Sequence, residues 1–119
     1  MAEKRILLVE DGADIRELLC LALESAGYGV DSTATVAEAK TRLASIEYAL
    51  VLTDWRLPDG DGLVIANWAK ELGSKTIVMS GYLSGMPGGR AMEHETLMKP
   101  FRPSEVVVAI ERMIGNAGD

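Results

Sequence analysis

Ile6-Leu7-Leu8-Val9-Glu10-Asp11-Gly12 decides the fold. Four consecutive β-favouring apolar residues with no polar alternation describe a strand buried on both faces. The run stops at two carboxylates and a glycine. The same grammar recurs downstream: Ala49-Leu50-Val51-Leu52 ends at Thr53-Asp54, and Thr76-Ile77-Val78-Met79 ends at Ser80-Gly81. A shorter run, Thr96-Leu97-Met98, ends at Lys99-Pro100, and Gly29 to Ser32 reads as one more short strand.

Amphipathic stretches lie between these runs. Ile15, Leu18, Leu19, Ala22 and Ala26 keep helical spacing, with Asp14 and Glu17 as a capping box and Gly27 as the stop. Thr35 and Glu38 open a second helix with its stripe at Val36, Ala39, Leu43 and Ile46. Ile65, Trp68, Ala69 and Leu72 mark a third, closed by Gly73. Pro103 starts a last one through Val106, Ala109, Ile110 and Met113. Between Tyr82 and Glu95 the pattern is irregular. Gly85, Pro87, Gly88 and Gly89 fall there, and Gly and Pro cost about 1 and 3 kcal/mol inside a helix. The fourth helix is therefore expected to be short or irregular.

Strands alternating with helices give a doubly wound five-stranded parallel sheet with helices on both faces, an α/β class. The 119 residues suit one domain, 1–119, and 48% hydrophobic with 25% charged residues is ordinary globular composition. Cys20 is the single cysteine, which excludes a disulfide framework and a Cys-rich zinc site and fits a reducing compartment. Eighteen acidic residues against twelve basic ones, a net charge of −6, argue against a nucleic-acid partner. No apolar run approaches the roughly 18–20 residues of a membrane span, and the N-terminus is not a signal peptide. A cytoplasmic protein is expected.

In doubly wound sheets ligands bind outside the carboxyl ends of the strands. That rule gathers Glu10, Asp11, Asp54, Ser80 and Lys99 at one rim. Taken singly, each is an ordinary loop carboxylate, helix cap, turn hydroxyl or surface charge. Four strand ends bearing them together are not ordinary. Three carboxylates repel, each pair by roughly 1 kcal/mol at 4 Å in water and about 4 at a protein-surface dielectric. A hard cation with few protein oxygens and room for water, Mg²⁺ or alternatively Mn²⁺, relieves that. Lys99 and Ser80 then offer a positive charge and a hydroxyl to an anion, and Asp54 is a candidate nucleophile for a phosphoryl group.

Leu8-Val9-Glu10-Asp11, Leu52-Thr53-Asp54-Trp55-Arg56-Leu57-Pro58-Asp59-Gly60-Asp61-Gly62, Val78-Met79-Ser80-Gly81 and Met98-Lys99-Pro100-Phe101, in that order, resemble the receiver domain of two-component response regulators, a chemotaxis-type flavodoxin-like fold. The resemblance runs from about Arg5 to Ile114 and implies strand order 2-1-3-4-5. It implies that Asp54 is the phosphoacceptor, charged by a histidine kinase or phosphotransfer protein. It implies that Asp11, Glu10, Asp54 and the backbone carbonyl of Arg56 hold the metal, and that Ser80 and Lys99 bind the phosphoryl group. It also implies a cis Lys99–Pro100 bond. The output would be a changed protein–protein surface toward a downstream protein, or a dimer formed on phosphorylation. Such a domain is a switch with at most self-catalysed phosphorylation and dephosphorylation, not an enzyme.

The family usually has Tyr or Phe where this chain has Thr96. Tyr82, two residues after Ser80, is the candidate substitute, and Tyr82 and Arg56 occupy positions that in the family tune dephosphorylation. Thr96 and the glycine-rich segment are what a pseudo-receiver, a binding module working without phosphorylation, would also carry. A carboxylate-nucleophile phosphatase needs a second Asp where Arg56 stands, and an acidic first loop does not suit a flavin phosphate. Asp59-Gly60-Asp61-Gly62 lacks the ligand spacing of an EF-hand and reads as a turn and helix cap. His94 reads as a surface residue, Trp68 as core and Cys20 as inert packing.

Overall fold

The structure, a computed structural model, describes residues 4–81 and 94–118. In chain order these form β1 (Arg5–Val9), α1 (Ala13–Ser25), β2 (Gly29–Thr33), α2 (Val36–Ser45), β3 (Leu50–Asp54), β4 (Arg56–Leu57), β5 (Gly60–Asp61), α3 (Gly62–Glu71), β6 (Lys75–Ser80), β7 (Glu95–Met98) and α4 (Pro103–Ile114). The main sheet is parallel, in the order β2-β1-β3-β6-β7. Numbered by its own five strands, that is the expected 2-1-3-4-5. The additional pair is an antiparallel ribbon of β4 and β5, too short to leave an alternating pattern in the sequence. The helix expected between Tyr82 and Glu95 lies outside the described residues, as does Tyr82 itself.

The uninterrupted apolar runs have a direct cause, because both faces of the sheet are covered. Ile6, Leu8, Leu50, Leu52, Ile77 and Met79 face one core, closed by Leu19 and Leu23 of α1 and by Val106, Ala109 and Ile110 of α4. Leu7, Val9 and Val51 face the other, closed by Val36, Ala39 and Leu43 of α2 and by Ile65 and Ala69 of α3. Cys20 packs against the first core and Trp68, half-buried, against the second.

Two sequence expectations need correction. Asp14 does not cap α1; the helix already begins at Ala13, with Gly12 as its cap residue and no side-chain cap. The reason is Glu10, whose Oε2 accepts the Gly12 N–H at 2.9 Å and bends the chain into the helix early. His94 is not at the surface. It is 7% exposed, with one ring nitrogen bonded to the Thr76 hydroxyl and the other 2.7 Å from Oδ1 of Asn67. It thereby ties the start of β7 to β6 and α3. Its neighbours in sequence gave no apolar stripe from which that burial could be read.

The cap at Thr35 is present, its hydroxyl accepting from the Glu38 N–H. A second cap comes from far along the chain: the Asp59 carboxylate accepts from the N–H groups of Val36 and Ala37 at 2.8 and 3.0 Å. The β4–β5 turn is thus fastened to α2. Asp61 caps α3 by accepting from Leu63 N–H at 2.8 Å. Between these carboxylates the chain crosses over the end of β3 at Gly62. Its N–H donates to the Trp55 carbonyl at 2.6 Å, and a Cβ on Gly62 would sit 1.7 Å from the Asp54 carbonyl oxygen.

No side chain fits there, and the obstacle is backbone, which cannot swing aside. Gly62→Ala should therefore destabilise the protein by at least about 2 kcal/mol, read as a lower urea midpoint at unchanged m-value. A midpoint matching wild type would show that the crossing is looser than described.

Candidate functional site

Register builds the site. Val9 pairs with Thr53, so the next residues, Glu10 and Asp54, leave adjacent strands side by side. Asp54 pairs with Met79, and Ser80 pairs with Met98, which brings Ser80 and Lys99 to the same rim. Backbone bonds extend the alignment past the strand ends: Glu10 N–H to Thr33 O at 3.0 Å, Trp55 N–H to Met79 O at 2.9 Å, and Lys99 N–H to Ser80 O at 2.8 Å. The Lys99–Pro100 peptide is cis.

Glu10 and Asp54 are buried, 1% and 4% exposed. Lys99 joins them: its Nζ lies 2.9 Å from Glu10 Oε1 and 2.8 Å from Asp54 Oδ1. Asp11 is exposed at the lip, and one carboxylate oxygen from each of Glu10, Asp11 and Asp54 falls within a 4.8 Å cluster. Above them opens a cavity of about 200 Å³ lined by Asp11, Asp54, Trp55, Arg56, Met79, Ser80, Gly81 and Lys99. The Arg56 guanidinium carbon sits 4.5 Å from the centre of the Trp55 ring. Thr96 is half-buried on β7, opposite Val78 rather than at the rim.

The titration of the cluster follows from its geometry. Burial raises the Asp54 carboxyl well above the usual carboxylate range, and the Glu10 carboxylate beside it pushes the same way; Lys99 only partly opposes them. Burial pushes Glu10 up as well, but its bonds to Asp54, Lys99 and the Gly12 N–H outweigh this and leave it lowered. Burial alone would lower Lys99, yet its two carboxylate partners raise it, so it stays protonated. Of the two buried carboxyl groups, Asp54 is thus the one whose charged form is disfavoured, and Glu10 the one whose charged form is favoured. Such an arrangement exchanges its proton readily for a better cation, and three hard carboxylate oxygens beside a cavity with room for water suit a divalent one.

The chain matches the family model of the response regulator receiver domain over residues 6–111. It belongs to that family. The receiver is 35% identical over 116 residues to the response regulator receiver protein CpdR of Brucella abortus, covering 93% of this chain and 97% of that one. Against other curated relatives, transcriptional regulators among them, it spans about half their length. Among solved structures, a receiver domain protein of Methanospirillum hungatei superposes with a TM-score of 0.87 at 30% identity, over 95% of this receiver and 94% of that chain. The receiver domain of a sensor histidine kinase from Pseudomonas aeruginosa superposes at 0.83 with 27% identity, over 97% of this chain and all (100%) of that one. That structure has a magnesium ion coordinated in its active-site cleft.

Sequence reasoning named every side chain that converges at this rim. It missed Gly62, whose lack of a side chain lets α3 start directly against Asp54. The only signal is the Asp-Gly-Asp-Gly run at 59–62, whose pattern of turn and cap does not reveal the close approach.

Asp11 adds negative charge to a cluster that already holds two carboxyl groups. Asp11→Asn should raise the stability of the cation-free protein by about 0.5–1 kcal/mol, seen as a higher melting temperature in EDTA. A lower one would contradict the clustered-carboxylate geometry.

Proposed function

We propose that this receiver works as a phosphorylation-controlled switch, with Asp54 accepting a phosphoryl group from a histidine kinase or phosphotransfer protein. One observation carries the reading. A buried Asp54 has a lysine ammonium at 2.8 Å and two further carboxylates beside it, open to a cavity of about 200 Å³.

The side chains of Glu10, Asp11 and Asp54 and the backbone carbonyl of Arg56 would hold Mg²⁺, or Mn²⁺ in its place. When bound, the ion supplies positive charge to the carboxylates and to phosphoryl oxygens. The protein's own part is electrostatic and steric. An Asp54 carboxylate oxygen forms the new O–P bond while the donor's P–N or P–O bond breaks. From a phosphohistidine the electron pair stays on the imidazole nitrogen, which takes up a proton; from an acyl phosphate it leaves as a carboxylate. Lys99, already placed on Asp54, meets the developing charge on the phosphoryl oxygens, and the Ser80 hydroxyl donates to another.

The switch follows from what phosphorylation removes. As an acyl phosphate, Asp54 no longer has a free carboxylate for Lys99 to pair with. Lys99 and Ser80 turn to the phosphoryl group, pulling on β7 and on the end of β6 and biasing a pre-existing equilibrium of the adjoining surface. With Thr96 in place of an aromatic, that pull travels through backbone and Ser80 rather than a ring rotation. The output is a protein–protein surface, toward a downstream protein or a second copy, and residues 1–119 act as one receiver unit. A pseudo-receiver has no support here, since the whole carboxylate and lysine set is in place.

With Mg²⁺ and acetyl phosphate, the protein should gain the mass of one phosphoryl group, labile to hydroxylamine. Asp54→Asn should abolish it and Lys99→Met should slow it by about two orders of magnitude. Equal labelling of Asp54→Asn would move the acceptor elsewhere.

A further inference from the structure

Glu10 is fastened at each of its polar atoms. Its N–H donates to Thr33 O, its Oε2 accepts from the Gly12 N–H, its Oε1 takes the Lys99 ammonium, and its carbonyl accepts from the Arg16 guanidinium at 2.9 Å. Asp11 lacks the burial of its neighbour. It is exposed at the lip, yet one of its carboxylate oxygens lies in the cluster with those of Glu10 and Asp54. Burial does not keep it there, and like charges push it outward. Its carbonyl accepts from the same Arg16 nitrogen, Nη1, at the longer distance of 3.4 Å.

Arg16 stands in an unfavourable place for a cation. It closes the first turn of α1, its N–H donating to the Gly12 carbonyl at 2.9 Å, and its side chain runs back to residues that precede the helix. That is the positive end of the helix dipole, which disfavours a guanidinium. The charge also opposes a divalent ion at the rim. Both of its side-chain partners are main-chain carbonyls, so ion pairing does not account for the placement. The gain is geometric. The Glu10 and Asp11 carbonyls belong to the two peptide planes that flank the Asp11 Cα. One rigid donor spanning both fixes the backbone dihedrals of Asp11, and with them the direction in which its carboxylate leaves the chain.

We infer that Arg16 is a positioning residue of the Asp54 site, which aims the exposed Asp11 carboxylate at the divalent cation by holding the peptides on either side of it. This rests on the cation-assisted phosphoacceptor reading.

The test is the Kd for Mg²⁺, from titrations of the metal-free protein followed by Trp55 emission in a Trp68→Phe background. Charge and positioning predict opposite signs. Arg16→Gln removes a positive charge, which alone would tighten Mg²⁺ binding; loss of positioning should instead raise Kd by about tenfold. Arg16→Lys, which keeps the charge and a donor without the rigid plane, should fall between wild type and Arg16→Gln. In an Asp11→Ala background Arg16→Gln should cost nothing further, because the carboxylate through which it acts is gone. That non-additivity separates positioning from a general loosening of the fold. An unchanged or lower Kd in Arg16→Gln overturns the inference while wild type still binds. An equal loss of affinity in both backgrounds overturns it as well. No Mg²⁺ binding by the wild-type protein overturns the cation reading beneath it.

Discussion

Glu10 and Asp54 are buried side by side with one ammonium group between them, and the site depends on that imbalance. Two ionised carboxylates at about 4 Å repel by roughly 4 kcal/mol at the dielectric of a protein surface, and removing each from water costs several more. Lys99, bonded to both, offsets the repulsion of the pair but not the burial of two charges. Asp54 consequently holds its proton far more tightly than an ordinary aspartate. A group kept in that condition is suited to a divalent cation, and under the proposed function it would change partners when its carboxylate became an acyl phosphate.

The fold is the means of holding that imbalance still. Adjacent parallel strands end in register, so residues 10 and 54 meet without any loop to position them. Lys99 reaches them from the far edge strand, through a backbone bond to Ser80. Behind Asp54 the chain turns back at Gly62, where only a hydrogen atom fits against the Asp54 carbonyl. Asp59 fastens the same turn to α2. The phosphoacceptor candidate is thus clamped by backbone on three sides, and movement is left to Lys99, Ser80 and whatever they pull.

The sheet and the rim were legible because each depends on a local signal. Apolar runs such as Ile6 to Val9 mark strands covered on both faces, and their polar ends mark the rim. The Asp54 neighbourhood also carries a family pattern that is specific when read in order. What escaped depends on contacts between residues distant in sequence or on the absence of atoms. His94 is buried because Thr76 and Asn67 satisfy both ring nitrogens, and neither partner lies near it in the chain. Asp14 looked like a cap because its spacing to Glu17 fits one, but the Glu10 side chain had already started the helix. Gly62 carries no side chain to read, and its role appears only once Asp54 lies beneath it.

The central claim is that a divalent cation takes over the charge imbalance at Asp54. Mg²⁺ titration of the metal-free protein, followed by Trp55 emission in a Trp68→Phe background, tests it most directly. The account predicts a saturable single-site change that disappears when Asp54 is replaced by Ala. A flat response, with calorimetry also detecting no binding, would contradict it.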